Sequence, residues 1–374
     1  MSYVLAALGA AAAAYQALVL LGALGWLRRR ERPARALPPV SILKPVHGLD
    51  PDFYDAIRSH ALQDYPEFEL LFGVRDPADP AIAEIERLAA EFPRVPIRVV
   101  RSATAAANAK VGVLEDLAAV ARHGILLVND ADIRVPPDYL RRVVAPLEDA
   151  SVGMVTCLYR ARGRSWAARF EAAGIATDFV PGVLVAPLVG VSGFALGATM
   201  AFRASDLARI GGFRAVADYV ADDYQLGCRI SGLGRRVALS RCVVETSLGE
   251  AGWGDVWRHQ VRWARTIRVS HGGGYAGLPI SNGTLWAAAL AAAGLWQPAL
   301  ALFALRVAAG AVCAAVVLRD PASIFLMPFR DLAGLAVWAA GLFGSTVVWR
   351  GARLRLTRDG RIAPNCCCNK KMSP

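Results

Sequence analysis

The chain has 374 residues, enough for one large domain or two, and 55% of them are hydrophobic, a high share for a soluble enzyme. Its formal net charge of +11 favours anionic partners such as phosphates or an acidic lipid surface. Nucleic acid is set aside, because the sequence has neither zinc-finger spacing nor a basic helix with interleaved aromatics. A disulfide framework is set aside too, since Cys157, Cys228, Cys242 and Cys313 are scattered singly.

Residues 1–27 carry no charge and are mostly Ala, Leu, Val and Gly. A bilayer-crossing helix needs about 20 such residues, so this stretch is expected to be a transmembrane anchor. Arg28, Arg29, Arg30, Arg32 and Arg35 follow it, which places the next domain in the cytoplasm. A cleaved signal peptide does not fit: no basic segment precedes the apolar run, and the run is too long. Residues 28–39 read as a short basic linker.

From residue 40 the pattern alternates. Apolar runs at 40–43, 68–74, 97–100 and 125–128 predict strands. Segments 51–62, 81–92 and 110–122 carry helical spacing. This order indicates an α/β domain with a mostly parallel sheet, over 40–275. The run Leu-Leu-Val-Asn-Asp-Ala-Asp from Leu126 to Asp132 is the centre of it. Four apolar residues without alternation predict a strand buried on both faces, and ligand sites lie just past the carboxyl ends of such strands. Asp130 and Asp132 stand there. Two hard oxygen ligands suit Mg2+ or Mn2+, with phosphates completing the shell.

Residues 166–196 are strongly apolar but broken by Pro181, Pro187 and several glycines. A full crossing here would separate the Asp-x-Asp from Asp222 and Asp223, so an apolar wall or membrane-dipping segment is expected, with ordinary core as the alternative. Residues 197–203 read as a strand, 205–210 as a short helix, and 224–231 as a helix opened by the acidic pair. The segment 257–268 is Arg-rich and helical. Residues 284–317 contain one charge, Arg306, and predict two spans broken at Gln297 and Pro298. A third apolar stretch, 332–348, either crosses or lies in the interface. Residues 276–349 thus form a membrane region. Residues 350–374 form a basic cytoplasmic tail in which Leu354 and Leu356 alternate with Arg353 and Arg355 as in a short strand. Cys366, Cys367 and Cys368 mark either an S-acylated or a disordered end.

Several strings resemble the ceramide glucosyltransferase family, family 21 of the glycosyltransferases. They are Ser-Ile-Leu-Lys-Pro-Val-His-Gly from Ser41, Gln-Asp-Tyr-Pro from Gln63, Val-Arg-Asp-Pro-Ala-Asp-Pro from Val74, Ala-Asp-Asp-Tyr from Ala221, and Arg262 with Trp263. Gly-Ala-Thr-Met-Ala from Gly197 and Arg-Trp-Ala-Arg-Thr-Ile-Arg from Arg262 also resemble the bacterial hopanoid-associated branch, which acts as a bacteriohopanetetrol N-acetylglucosaminyltransferase. The resemblance runs from residue 40 to the Trp349–Arg350 region.

It implies a GT-A type, inverting glycosyltransferase that moves one sugar from a UDP-sugar, UDP-N-acetylglucosamine or UDP-glucose, to a lipid hydroxyl. The lipid would be a hopanoid or a ceramide. The resemblance also implies roles. Asp223 is the base, Arg262 neutralises the leaving diphosphate, and Trp263 stacks at the acceptor site. Asp76 recognises base or ribose. Lys44, Asn108, Lys110 and Asp130 bind the nucleotide-sugar, with a solvated helix start as the alternative for Asn108 and Lys110. Asp132 is the direct metal ligand, and Asp130 serves ribose or a metal-bound water. Asp79 reads as a turn residue. The roles of Asp222 and His259 stay open, since His259 stands where the family's Gln or Arg precedes the Arg-Trp. A processive polysaccharide synthase and a non-catalytic scaffold are the other readings. With Arg306 as the one ionisable residue within the spans, a transport path is not expected.

Overall fold

The computed structural model describes residues 2–31 and 33–363, so the cysteines at 366–368 lie outside the described residues. The chain opens with helix α1 (Ser2–Arg28). It continues as β1 (Val40–Pro45), α2 (Phe53–Ala61), β2 (Phe68–Val74), α3 (Ala81–Glu91), β3 (Ile97–Arg101), α4 (Ala109–Val120) and β4 (Ile125–Val128), the predicted alternation. Helix α5 (Tyr139–Val144) leads to β5 (Val152–Gly163). Helix α6 (Trp166–Gly174) runs through a π-helical turn, Ile175–Phe179, into α7 (Val180–Val185). Then come β6 (Met200–Arg203), α8 (Ala204–Arg209), α9 (Asp222–Ser231) and β7 (Arg236–Gly249). Helices α10 (Trp253–Ser270), α11 (Gly272–Gly277), α12 (Gly283–Ala292), α13 (Trp296–Ala311) and α14 (Met327–Leu342) precede a hairpin of β8 (Thr346–Trp349) and β9 (Ala352–Arg355).

Seven strands form one sheet in the order β3-β2-β1-β4-β6-β5-β7. β1 pairs in parallel with β2 and β4, and β2 with β3. β6 runs antiparallel to β4 and β5, and β5 is parallel to β7. Only β6 is reversed, so the sheet is mostly parallel. Strand β4 is buried over its whole length. Leu127 packs on one face with Ile57 of α2 and Ile85 of α3, while Leu126 and Val128 pack on the other with Leu114 and Leu117 of α4. Each such side chain contributes about 1.5–3 kcal/mol by burial. The strand is thereby rigid, and it fixes the position of the Asp-x-Asp turn at its carboxyl end.

The structure corrects several local expectations. β5 and β7, the longest strand pair, were not predicted. The inward positions of β7 include Ala238, Ser240, Cys242 and Thr246, which are small or polar and blunt the alternation in hydropathy. The strand expected over 197–203 begins only at Met200, because 197–199 turn. In the membrane region the break falls at 293–295, before Gln297 and Pro298, which belong to α13. Helix α12 has ten residues, about 15 Å, too short to cross alone. The third apolar stretch is a helix only to Leu342, and Thr346–Trp349 is a strand instead.

Among the described residues four helical runs are long and apolar enough to cross a membrane: Tyr3–Arg28, Trp166–Val189, Trp296–Val317 and Pro321–Leu342. The apolar window of Trp166–Val189 is 61% buried inside the protein, against 22% for Tyr3–Arg28, which makes it a wall rather than a free span. Arg306 is also not the one ionisable residue in these runs. On α13 it pairs with Asp331 of α14 at 2.5 Å and with Asp178 of the π-helical turn at 3.0 Å, and it is 2% exposed. Charges buried in apolar helices persist only when paired in this way.

Candidate active site

The site starts where β4 ends. Asn129 is fully buried and pins the turn. Its Nδ2 donates to Tyr139 Oη at 2.9 Å and to the Ala198 carbonyl at 2.7 Å, and its Oδ1 lies 3.2 Å from His60 Nε2. Beside it, Lys44 at the end of β1 is also fully buried and donates to the Asp130 carbonyl at 3.0 Å. Burial draws the Lys44 ammonium down to about 7, while Asp132 and Asp130 hold it up. Sequence inspection placed Lys44 at the site. It did not show that the side chain lies beneath the Asp-x-Asp turn.

Asp132 accepts a short hydrogen bond from Thr246 of β7, and burial together with the charge of Asp130 pushes its carboxyl up to about 6. Asp130 takes Lys110 Nζ at 2.7 Å on Oδ1. Lys110 also reaches Asp222 at 3.6 Å. Although burial opposes its charge, Asp130 and Asp222 hold it firmly protonated. Asn108 is fully buried rather than solvated. Its Oδ1 caps α4 through the amides of Lys110 (3.1 Å) and Val111 (3.4 Å), and its Nδ2 donates to the Tyr219 carbonyl at 2.8 Å. Asn108 therefore aims Lys110 and ties α4 to the approach to α9.

Asp222 and Asp223 form the first turn of α9, where the helix dipole favours them. Asp223 Oδ2 accepts from the Gly197 amide at 2.8 Å and Oδ1 from its own neighbour Tyr224 at 2.7 Å. Burial and the adjacent Asp222 push the Asp223 carboxyl up to about 6. Asp222 is 4% exposed, and burial raises its carboxyl against the pull of Lys110. Gly197 stands between the two acidic sets. A Cβ there would lie 3.2 Å from Asp223 Oδ2 and 3.4 Å from Asp130 Oδ2. The missing side chain leaves room between the carboxylates for a small polar group.

Helix α10 closes the other side. Among the described residues the Arg262 guanidinium makes no hydrogen bond or ion pair, and burial lowers its pKa while Asp130 and Glu171 draw it up. It is a cation near the carboxylates with no anion of its own. Trp263 belongs to an aromatic row. Its ring lies 4.7 Å from His259 and 5.8 Å from Phe179, and Phe179 lies 5.2 Å from Tyr159 of β5. His259 Nδ1 meets Glu171 of α6, 2% exposed, which also accepts from Gln260 Nε2 at 2.9 Å. Glu171, Tyr159 and Thr246 were missed in the sequence. Glu171 and Asp178 are the two carboxylates in the otherwise apolar run 166–196, and that rarity was the available signal for Glu171.

Asp76 sits at the end of β2, next to β1 in the sheet, exposed, with Oδ1 accepting from the Ala78 amide at 2.9 Å. It stands at the same sheet end as Asp130 but is not packed into the acidic cluster. Asp79 is buried. It holds the Gly48 amide at 2.8 Å and caps α3 through the Ala81 amide at 2.9 Å.

Among the described residues no group of three or more His, Cys, Asp or Glu side chains is arranged to hold a metal. The chain offers a cation two carboxylates, Asp130 and Asp132, the latter raised by burial and then by the charge of Asp130. That donor set fits Mg2+ or Mn2+, which draw the rest of their shell from water and phosphate, and does not fit an all-protein cage.

A mostly parallel sheet with one reversed strand and an Asp-x-Asp turn after its central strand defines a GT-A-like α/β fold. The fold is shared with a mannosyltransferase from Pyrobaculum calidifontis, solved with GDP-Man and Mn2+, at 22% identity and a TM-score of 0.54, over 88% of this chain and 99% of that one. The sequence profile of glycosyl transferase family 21 matches residues 2–362, and the chain belongs to that family. Ceramide glucosyltransferase 1 of Caenorhabditis elegans is 26% identical over 217 residues, 57% of this chain and 46% of that protein. The ceramide glucosyltransferase of Candida albicans is 30% identical over 121 residues, 29% of this chain and 22% of that protein. The match thus spans less than half the length of each of these relatives.

Proposed function

We propose that this chain is a membrane-bound, metal-dependent, inverting glycosyltransferase that moves one sugar from UDP-N-acetylglucosamine or UDP-glucose to a lipid hydroxyl on the cytoplasmic side, bacteriohopanetetrol or a similar hopanoid polyol being the acceptor. The observation that carries this reading is the placement of Asp223 opposite Asp130 across Gly197, beside an aromatic row that joins Trp263 of α10 and Tyr159 of β5 through Phe179 of the apolar run 166–189. Asp223 takes the proton of the lipid hydroxyl as that oxygen attacks the anomeric carbon. Gly197 leaves space for the sugar. Arg262 and Lys110 hold the diphosphate as it departs, and Lys44 supports the turn from beneath. A divalent cation at Asp132 and Asp130 supplies Lewis-acid screening of that diphosphate when bound, as Mn2+ accompanies GDP-Man in the Pyrobaculum protein. Asp76 contacts base or ribose, and Trp263 faces the acceptor.

The wall over residues 166–189 and the other three long apolar helical runs support a lipid rather than a soluble acceptor. Ceramide is the second reading, favoured by the curated relatives. Both acceptors offer a primary hydroxyl on an apolar body. Purified protein with Mn2+ and labelled UDP-N-acetylglucosamine or UDP-glucose is to be offered bacteriohopanetetrol and ceramide separately. Label in the hopanoid supports the first reading and label in ceramide the second. Polymer points to a processive synthase, and no labelled product in any arm overturns all three.

A further inference from the structure

The chain beyond α14 stays on the candidate site. Arg265 of α10 donates to the carbonyls of Phe343 (3.0 Å) and Thr346 (2.6 Å), and Arg268 to those of Leu342 and Gly344. The β8–β9 hairpin then reaches the loop after β1. There Arg350 donates to both carboxylate oxygens of Asp50, at 2.6 and 2.8 Å, and to the His47 carbonyl at 3.3 Å. Past β9, the Ile362 amide donates to the Asp218 carbonyl at 2.6 Å, and Val220 packs with Val347, Leu356 and Ile362. This strap touches the loop beyond Lys44, the helix of Arg262 and the approach to Asp222.

Arg350 sits at the tip with φ 48°, followed by Gly351 at φ 79°. A two-residue hairpin turn with both φ positive favours Asn-Gly, and a long cation in the first place is held in a left-handed conformation that suits it badly. Such conformations gather at functional sites. The pair with Asp50 holds Arg350 charged against burial, with smaller pulls from Asp132 and Asp130, and the Arg350 charge adds to the lowering of Arg262. Two guanidiniums on different elements, both within reach of the Asp130 charge, frame a place for an anion.

We infer that Arg350 is a second guanidinium ligand of the donor's diphosphate, opposite Arg262, and that Asp50 holds it until the donor arrives. This rests on the nucleotide-sugar reading above. One bidentate pair, with a carboxylate, is exchanged for another, with phosphate oxygens.

The test uses the full chain in detergent with Mn2+ and measures binding of UDP, UMP and uridine to the wild type, Arg350→Ala, Arg350→Lys and Asp50→Asn. Arg350→Ala is expected to weaken UDP at least tenfold and uridine less than threefold. Arg350→Lys falls between, because an ammonium cannot form the fork. Asp50→Asn binds UDP as tightly as the wild type or more tightly, since the arginine is released. UDP binding by Arg350→Ala within twofold of the wild type overturns the inference. So does a parallel loss of UDP, UMP and uridine in both Arg350→Ala and Asp50→Asn, the mark of a strap that only braces the fold. A wild type that binds no UDP overturns the nucleotide reading and this one together.

Discussion

Asp130 and Asp223, 93 positions apart in the sequence, face one another across Gly197, each with its Oδ2 within 3.4 Å of where a glycine Cβ would stand. One carboxylate belongs to the turn after β4, the other to the first turn of α9. The gap between them stays open because residue 197 carries no side chain.

Gly197→Ala fills that gap while leaving an ordinary backbone, since Gly197 has no positive φ. The neighbours it meets are carboxylate oxygens at the ends of side chains. Stability is expected to change by less than about 1 kcal/mol, with turnover falling roughly 100-fold as the reacting groups are displaced. Thermal melting beside kcat checks this, and an unimpaired kcat contradicts it.

Asp223→Asn keeps the size and the hydrogen bond to the Gly197 amide but cannot take a proton. UDP-sugar affinity is expected to persist while kcat drops by roughly 10²–10⁴. Because burial and Asp222 raise Asp223 to about 6, and the base works ionised, the wild-type rate climbs as pH rises through about 6 and then levels. A kcat profile flat from pH 5 to 8 speaks against Asp223 as the base.

The Asp132 carboxyl, at about 6, lies above an unfolded carboxylate near 3.9, so the folded state holds its proton more tightly. Its contribution is complete below the unfolded value and is lost as pH rises through about 6. A divalent cation restores it above that range. Mn2+ is therefore expected to raise the melting temperature by a few degrees at pH 7.5 and hardly at pH 5. Asp132→Asn raises the metal-free melting temperature at pH 7.5 and removes the gain from Mn2+. An equal Mn2+ gain in the variant shows that the cation binds elsewhere.

Arg306 is wrapped by Asp331 and Asp178 between the apolar helices. Arg306→Met leaves the buried Asp331 carboxylate unpaired beside the part-exposed Asp178 and is expected to cost about 3–5 kcal/mol. The double variant Arg306→Met with Asp331→Leu recovers much of that loss. A double-mutant cycle by melting in detergent measures the coupling, and additive losses show that the pair is not coupled.

The sheet's first half was legible because its strands are continuous apolar runs, and β4 above all, buried on both faces, pointed to Asp130 and Asp132. The acidic pair of α9 and the Arg-Trp of α10 were legible as strings, and the structure brings them to the same sheet end. Contacts far apart in the chain were not legible. Glu171 meets His259 88 positions later, and Asn108 reads as a helix start until Tyr219 is seen beside it. Strand β7 escaped because several of its inward side chains, Ala238, Ser240, Cys242 and Thr246, are small or polar. Of the hairpin beyond α14, β9 was legible as the Leu-Arg alternation in the basic tail, while β8 was hidden in an apolar stretch that runs on from the helix to Val348.

The most direct test of the central claim is the structure of the product. One sugar transferred by a single displacement, with Asp223 taking the proton, converts the α linkage of UDP-N-acetylglucosamine or UDP-glucose into a β linkage on the lipid. NMR of the lipid isolated after reaction with Mn2+ is predicted to show one β-linked sugar on a primary hydroxyl. An α-linked product, or a lipid carrying a sugar chain, contradicts it.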